Sequence, residues 1–131
     1  WSWSGCLNAE AAAKIYRGRR EDPRTILLSC ISTISAQVYE IAEEVPDEAK
    51  AVMEKFWPGP LTMILKKSDC VPKSITGGLG TVAIRMPSHP VAAQLIRTSG
   101  VYIAAPSANI SGKPSPTRGE HVIHDMKAEL I

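Results

Sequence analysis

The stretch TVAIRMPSHPVAAQLIRTSGVYIAA, residues 81–105, constrains the fold more than any other. TVAIRMP (81–87) alternates apolar and polar side chains with β-branched residues, the pattern of a strand. Ser88 stands where a helix cap belongs, and Pro90 falls in the first turn of HPVAAQLIRTS, where its missing N–H costs nothing. Gly100 is placed to end that helix. VYIAA (101–105) then reads as a second, buried strand. A strand, a helix and a strand in so short a span point to an α/β sheet and away from a helical bundle or an all-β sandwich.

The rest of the chain continues the alternation. Asn8 can cap the helix NAEAAAKIYR, which should stop at Gly18. TILLSCI (25–31) reads as a buried strand. SAQVYEIAEEV (35–45) is a helix broken by Pro46, and DEAKAVMEKF (47–56) is a second helix with Asp47 as its cap. LTMILKK (61–67) is a strand, and VPKSITGGLG is a loop. Thr117 and Glu120 have the spacing of a capping box for a last helix. The order predicts a single α/β domain over residues 1–131, with a parallel or mixed sheet between helices. The abrupt start on two tryptophans and the end at Leu130-Ile131 read as cuts through a fold, so the domain is expected to be partial.

Composition closes off several function classes. Apolar residues are 44% and charged residues 21%, enough for a core and unlike a disordered chain. A net charge of +2 is not that of a broadly basic nucleic-acid binder, so anion binding would have to be local. No run approaches the ~20 apolar residues of a membrane helix, and the first residues lack a secretory pattern. Cys6, Cys30 and Cys70 are an odd count without a CxxC pair. They are expected to be reduced thiols buried as small apolar groups, in a cytoplasmic protein. His121 and His124 lie one helical turn apart but lack the further ligands a metal needs, so no protein-held metal is expected. GGLG (77–80) lacks the order of a phosphate-binding P-loop.

Three segments could carry chemistry. Arg17, Arg19 and Arg20 can present guanidinium forks to phosphate or carboxylate, or can simply complement the end of a helix. Arg85 ends a strand that reads as buried. A charge there needs a partner, such as a ligand carboxylate, unless the strand end is exposed. PSANISGKPS (106–115) carries Ser107, Asn109, Ser111, Lys113 and Ser115, with no neighbouring His or Asp to act as a base. That set suits either a hydrogen-bonded turn or a loop that binds a polyanion or polyol.

FWPGPLTMILKK, TGGLGTVAIRMPSHPVA and GVYIAAPSANISGKPSPT occur in this order and together resemble the YrdC/Sua5 (TsaC-like) family of threonylcarbamoyl-AMP synthases. The resemblance runs from about Ala11 to Met126. It implies a twisted, open, mixed α/β sheet with flanking helices around a concave, cationic cavity. It implies condensation of L-threonine, bicarbonate and ATP to threonylcarbamoyl-AMP, with Mg²⁺ accompanying ATP. The product would serve t6A modification of tRNA by a separate transferase complex.

By the same resemblance Arg17 and Arg19 take the place of the family's K-x-R motif and would hold phosphates. Thr81, Ser107, Asn109 and Ser115 would contact ATP. Arg85 would grip the threonine carboxylate, and Ala105 would contact threonine through its backbone. No residue takes a catalytic acid–base role. The family's P-T-[ED]-T-x-Y-G-L-G stretch has only Gly5-Cys6 of WSWSGC as its counterpart. Uncovered sheet edges would favour a homodimer. Two alternatives stay open: a non-catalytic module for double-stranded RNA or nucleotide, and the related domain of a hydrogenase-maturation carbamoyltransferase.

Overall fold

The computed structural model describes residues 4–5, 7–19, 28–33, 36–109 and 113–125. Ser4–Gly5 (β1), Ser29–Ile31 (β2), Thr62–Lys66 (β3), Thr81–Arg85 (β4) and Ile103–Ala105 (β5) form one sheet in the order β1-β5-β2-β4-β3. The sheet is mixed. β2 and β4 are parallel, while β1 with β5, β2 with β5, and β3 with β4 are antiparallel. The helices are α1 (Ala9–Arg19), α2 (Ala36–Ile41), α3 (Asp47–Phe56), α4 (Pro90–Ser99) and α5 (Gly119–Asp125). The α/β architecture and the mixed sheet follow the sequence expectation.

Side-chain alternation sorts the sheet into two unlike faces. Cys30, Leu65, Val82, Ile84 and Ala104 point to one face, where they pack with Ala12, Ile15 and Tyr16 of α1, Val38 and Ile41 of α2, and Ala49 and Met53 of α3. This is the main core; burying each large side chain in it contributes about 1.5–3 kcal/mol. On the other face Ile31, Ile103 and Ala105 form a smaller cluster with Ile96 of α4. Beyond α4 the same face is open. Register places Thr62 beside Arg85, Ile64 beside Ala83, and Lys66 beside Thr81 there. Ile64 is 68% exposed while its neighbour Leu65 is 7% exposed.

Several local expectations need correction. α1 runs to Arg19 rather than stopping at Gly18; one glycine inside a helix costs only about 1 kcal/mol. Asn8 caps α1 as expected, its Oδ1 accepting from the Glu10 and Ala11 N–H groups at 3.0 and 3.1 Å. α2 ends at Ile41, short of Val45. The end of β3 takes the chain over: Ala42 bridges Lys67, and the Glu43 N–H donates to the Lys66 carbonyl at 2.9 Å. Pro46 rather than Asp47 precedes α3, and Asp47 instead pairs with Lys50 at 2.7 Å. The N-cap of α4 is His89, not Ser88, without a side-chain cap bond. Gly100 ends α4 as expected, at φ 65°. α5 begins at Gly119, one residue later than a Thr117–Glu120 capping box requires.

β5 covers only the last three residues of VYIAA, and β1 is a strand that sequence reading missed. Residues 25–27 of the TILLSCI strand lie outside the described residues. The cysteines also differ from expectation. Cys30 is buried, as expected, but disulfide-bonded. Cys70 is a free, exposed thiol. It is the loop before β4, not a strand or helix, that carries Cys70 to the surface, beside Ser68 Oγ at 2.8 Å. Among the described residues no helix is long and apolar enough to cross a membrane.

Candidate functional site

The antiparallel run of β5 decides which predicted residues meet. Ala105 lies level with Ser29, and Ser29 lies level with Ala83. The chain therefore leaves β5 toward the end of the sheet where β4 begins, at Thr81. Ser107 and Asn109 follow directly, and Ser115 lies further along the same loop. Asn109 is half-buried, and its Nδ2 donates to the Lys113 carbonyl at 2.8 Å. That bond closes the loop across residues 110–112, which lie outside the described residues along with Ser111. The Asn109–Lys113 bond is that of a hydrogen-bonded turn, one of the two readings left open for this loop.

α1 delivers a cation to the same end. The Tyr16 hydroxyl donates to the Ser74 carbonyl at 2.6 Å. Burial pushes the Tyr16 phenol above its ordinary pKa, which keeps it a donor. Ser74 belongs to the loop that feeds β4, and the Leu28 N–H fastens that loop to the start of β2 through the Ile75 carbonyl at 3.3 Å. Gly77 and Gly78 turn the loop with φ of 59° and 87°, values that favour glycine. Thr76 is buried, and its hydroxyl donates to the Leu79 carbonyl at 2.7 Å. Arg17, the residue after Tyr16, is exposed at this end. Arg19 is the last residue of α1, its side chain lying outside the described residues, as does all of Arg20.

Arg85 occupies the opposite end of the open face. Thr81 and Arg85 are four steps apart on one strand and face the same way, so about 13 Å separates them at the usual rise of a strand. Arg85 is exposed, the second of the two readings left open for it. The strand around it is buried on one face only, with Val82 and Ile84 in the core while Thr81 and Arg85 are exposed. Its placement is unchanged: a guanidinium standing on an open sheet face. Ala105 has its side chain buried under α4, so only its backbone could serve a ligand.

Sequence reading did not single out the β3 contribution. Lys66 stands beside Thr81 on the open face, and its Nζ donates to Glu43 Oε1 at 2.9 Å. That hydrogen bond and charge hold the ammonium above its ordinary pKa. The alternation of Thr62, Ile64 and Lys66 in LTMILKK was the available signal. Among the described residues no group of three or more His, Cys, Asp or Glu side chains could hold a metal ion. Among the described residues, the side chains that sequence reading assigned to the site are hydroxyls, an amide and guanidinium groups, none of them a general base. Such a set can bind and align anions and neutralise their charge; it has no obvious proton carrier.

Comparison with known proteins identifies the family of the chain. The Sua5/YciO/YrdC family, described as telomere recombination, matches residues 4–131. A threonylcarbamoyl-AMP synthase of Bacillus subtilis is 49% identical over 124 residues, covering 94% of this chain. One from Pyrococcus abyssi is 45% identical over 127 residues, covering 97% of this chain. The chain spans only 36% and 37% of the lengths of these two relatives. The crystal structure of P. abyssi Sua5 complexed with L-threonine superimposes with a TM-score of 0.88 at 46% identity, over 94% of this chain and 36% of that one. Fold, motif order and sequence agree, and the chain belongs to the Sua5/YciO/YrdC family.

Proposed function

We propose that this domain forms threonylcarbamoyl-AMP from L-threonine, bicarbonate and ATP. The observation that carries the reading is the division of the open face: the Arg85 guanidinium at one end, and the Thr81 hydroxyl about 13 Å away at the other, the end toward which the loop of Ser107 and Asn109 also runs. An amino acid carboxylate suits the first end, and a nucleotide triphosphate suits the second. The names of the relatives, and the L-threonine held by the P. abyssi protein, support the same substrates.

The chemistry needs little acid–base help. The threonine amine attacks the carbon of bicarbonate, and water leaves to give a carbamate. A carbamate oxygen then attacks the α-phosphorus of ATP, and the bond to pyrophosphate breaks. Arg85 would hold the carboxylate so that the amine faces the nucleotide, with the Ala105 backbone as a second contact. Arg17 and Arg19 would neutralise the phosphates and the carboxylated intermediate, while Thr81, Ser107, Asn109 and Ser115 fix the nucleotide. Orientation and charge neutralisation would lower the barrier. Mg²⁺ would accompany ATP as part of the nucleotide substrate and offset some of its phosphate charge. The product is an activated donor suited to t6A modification of tRNA by a separate transferase.

Threonine-dependent pyrophosphate release, measured with ATP and bicarbonate present, tests the reading. Release that requires all three substrates is expected. ATP binding without any threonine-dependent release would sink it. Salt-sensitive binding of double-stranded RNA, indifferent to threonine, would then identify a nucleic-acid-binding module instead.

A further inference from the structure

We propose that Ser32 and Gln37 are positioning residues for Arg85, and through it for the carboxylate end of the site. The inference rests on the reading of Arg85 given above. Three neighbours hold the backbone at this point. Thr62 pairs with Arg85 from β3. The Gly59 N–H donates to the Met86 carbonyl at 2.9 Å, fixing the next peptide. On the β2 side, the Ser32 N–H donates to the Arg85 carbonyl at 3.1 Å, one step past the last register pair, Ile31 with Arg85.

Of the three, the β2 clamp is tied to a buried polar side chain. Ser32 is fully buried, at 0% exposure, and its Oγ donates to Gln37 Oε1 at 2.6 Å. Gln37 is half-buried in the first turn of α2. The bond spans the bend between β2 and α2, so it fixes the direction in which the chain leaves the sheet. A buried hydroxyl holds such a geometry because losing its partner is costly. Ser32 then carries the constraint to Arg85 through the backbone. Arg85 itself is exposed and has a long side chain, so the aim of its guanidinium depends on how firmly its backbone is held. Ligand contacts of this kind are sensitive to displacements of an ångström or less. Neither Ser32 nor Gln37 is placed on the open face, and neither needs to touch a ligand.

Calorimetric titration of L-threonine and, separately, of ATP into the chain and its variants tests this. Gln37→Leu removes the acceptor, and Gln37→Asn withdraws it by one methylene while keeping the amide. Each is expected to weaken L-threonine about tenfold, as loss of one hydrogen bond predicts, with ATP changed by less than about twofold. Gln37→Glu keeps an oxygen in place and should stay within about threefold of the parent for threonine. The double variant Ser32→Ala with Gln37→Leu should not regain threonine affinity, since the tie between β2 and α2 is still missing.

Equal loss of both ligands in Gln37→Asn overturns the inference, as does unchanged threonine affinity or recovery of that affinity in the double variant. A parent chain that binds no L-threonine, or an Arg85→Ala variant that binds it as well as the parent, overturns the underlying reading and this inference with it. Parent binding together with an Arg85 effect but no Gln37 effect overturns the inference alone.

Discussion

At Arg85 the fold decides between two readings of one residue. Sequence reasoning left it between a partnered charge in a buried strand and an exposed strand end; β4 is buried on one face only, and Arg85 stands on the other. Because the side chain is exposed, Arg85→Ala should leave the melting temperature nearly unchanged, within about 0.5 kcal/mol of stability. It should weaken L-threonine by roughly 10- to 100-fold, the range for a charge-assisted hydrogen bond, and ATP far less. Equal loss of both ligands would deny the residue its place at the carboxylate end. A second residue-scale test concerns Tyr102, whose hydroxyl donates to Glu40 Oε2. Burial of the phenol, then the Glu40 hydrogen bond and charge, push its pKa up from 10.0 to about 12. Between those values the folded chain keeps a proton that the unfolded chain has lost, so stability falls as pH rises through that window and levels off above it. Absorbance titration should show one phenol ionising near 12. Glu40→Gln should bring it only part of the way back, because burial is the larger cause. Full return to the ordinary value would make Glu40 the sole cause and contradict that order.

At the scale of elements, strands and helices were legible where pattern and punctuation agreed. Pro90 and Gly100 bracketed α4, and period-two alternation marked β4. Legibility failed where a distant partner set the boundary. α2 loses its last turn because the end of β3 captures Ala42 and Glu43, and nothing local in SAQVYEIAEEV announces that. β1 exists only through pairing with β5, too short to leave a pattern. The candidate site was legible as motifs but not as an arrangement. That the loop after β5 leaves toward the Thr81 end of the sheet, away from Arg85, follows from the antiparallel run of β5, which composition and periodicity do not encode. The two-faced character of β3 gives a direct check. Leu65→Ala should cost about 2–5 kcal/mol, since it empties a core position. Ile64→Ala, one residue away on the open face, should cost less than about 0.5 kcal/mol in a denaturant titration. Comparable losses at both sites would mean that the face is covered.

For the whole molecule, the separation of the two ends carries the last prediction. Thr81 and Arg85 lie about 13 Å apart on one stiff strand, farther than the range over which neighbouring substitutions usually couple. Ser107 belongs to the Thr81 end and is exposed. Ser107→Ala should therefore weaken ATP with little effect on threonine, while Arg85→Ala does the reverse. Each end must nevertheless contribute to binding any molecule that spans both. A stable mimic of threonylcarbamoyl-AMP, with a non-hydrolysable link in place of the mixed anhydride, should bind more tightly than either AMP or threonine, because its second contact forms within the complex. Its loss of affinity in the double variant should equal the sum of the single losses in free energy, within about 0.5 kcal/mol. A double variant no worse than the poorer single one would mean that the mimic never reaches both ends together. The nucleotide and the amino acid would then occupy one overlapping place rather than opposite ends of the face, and the division of labour between Arg85 and the loop after β5 would have to be abandoned.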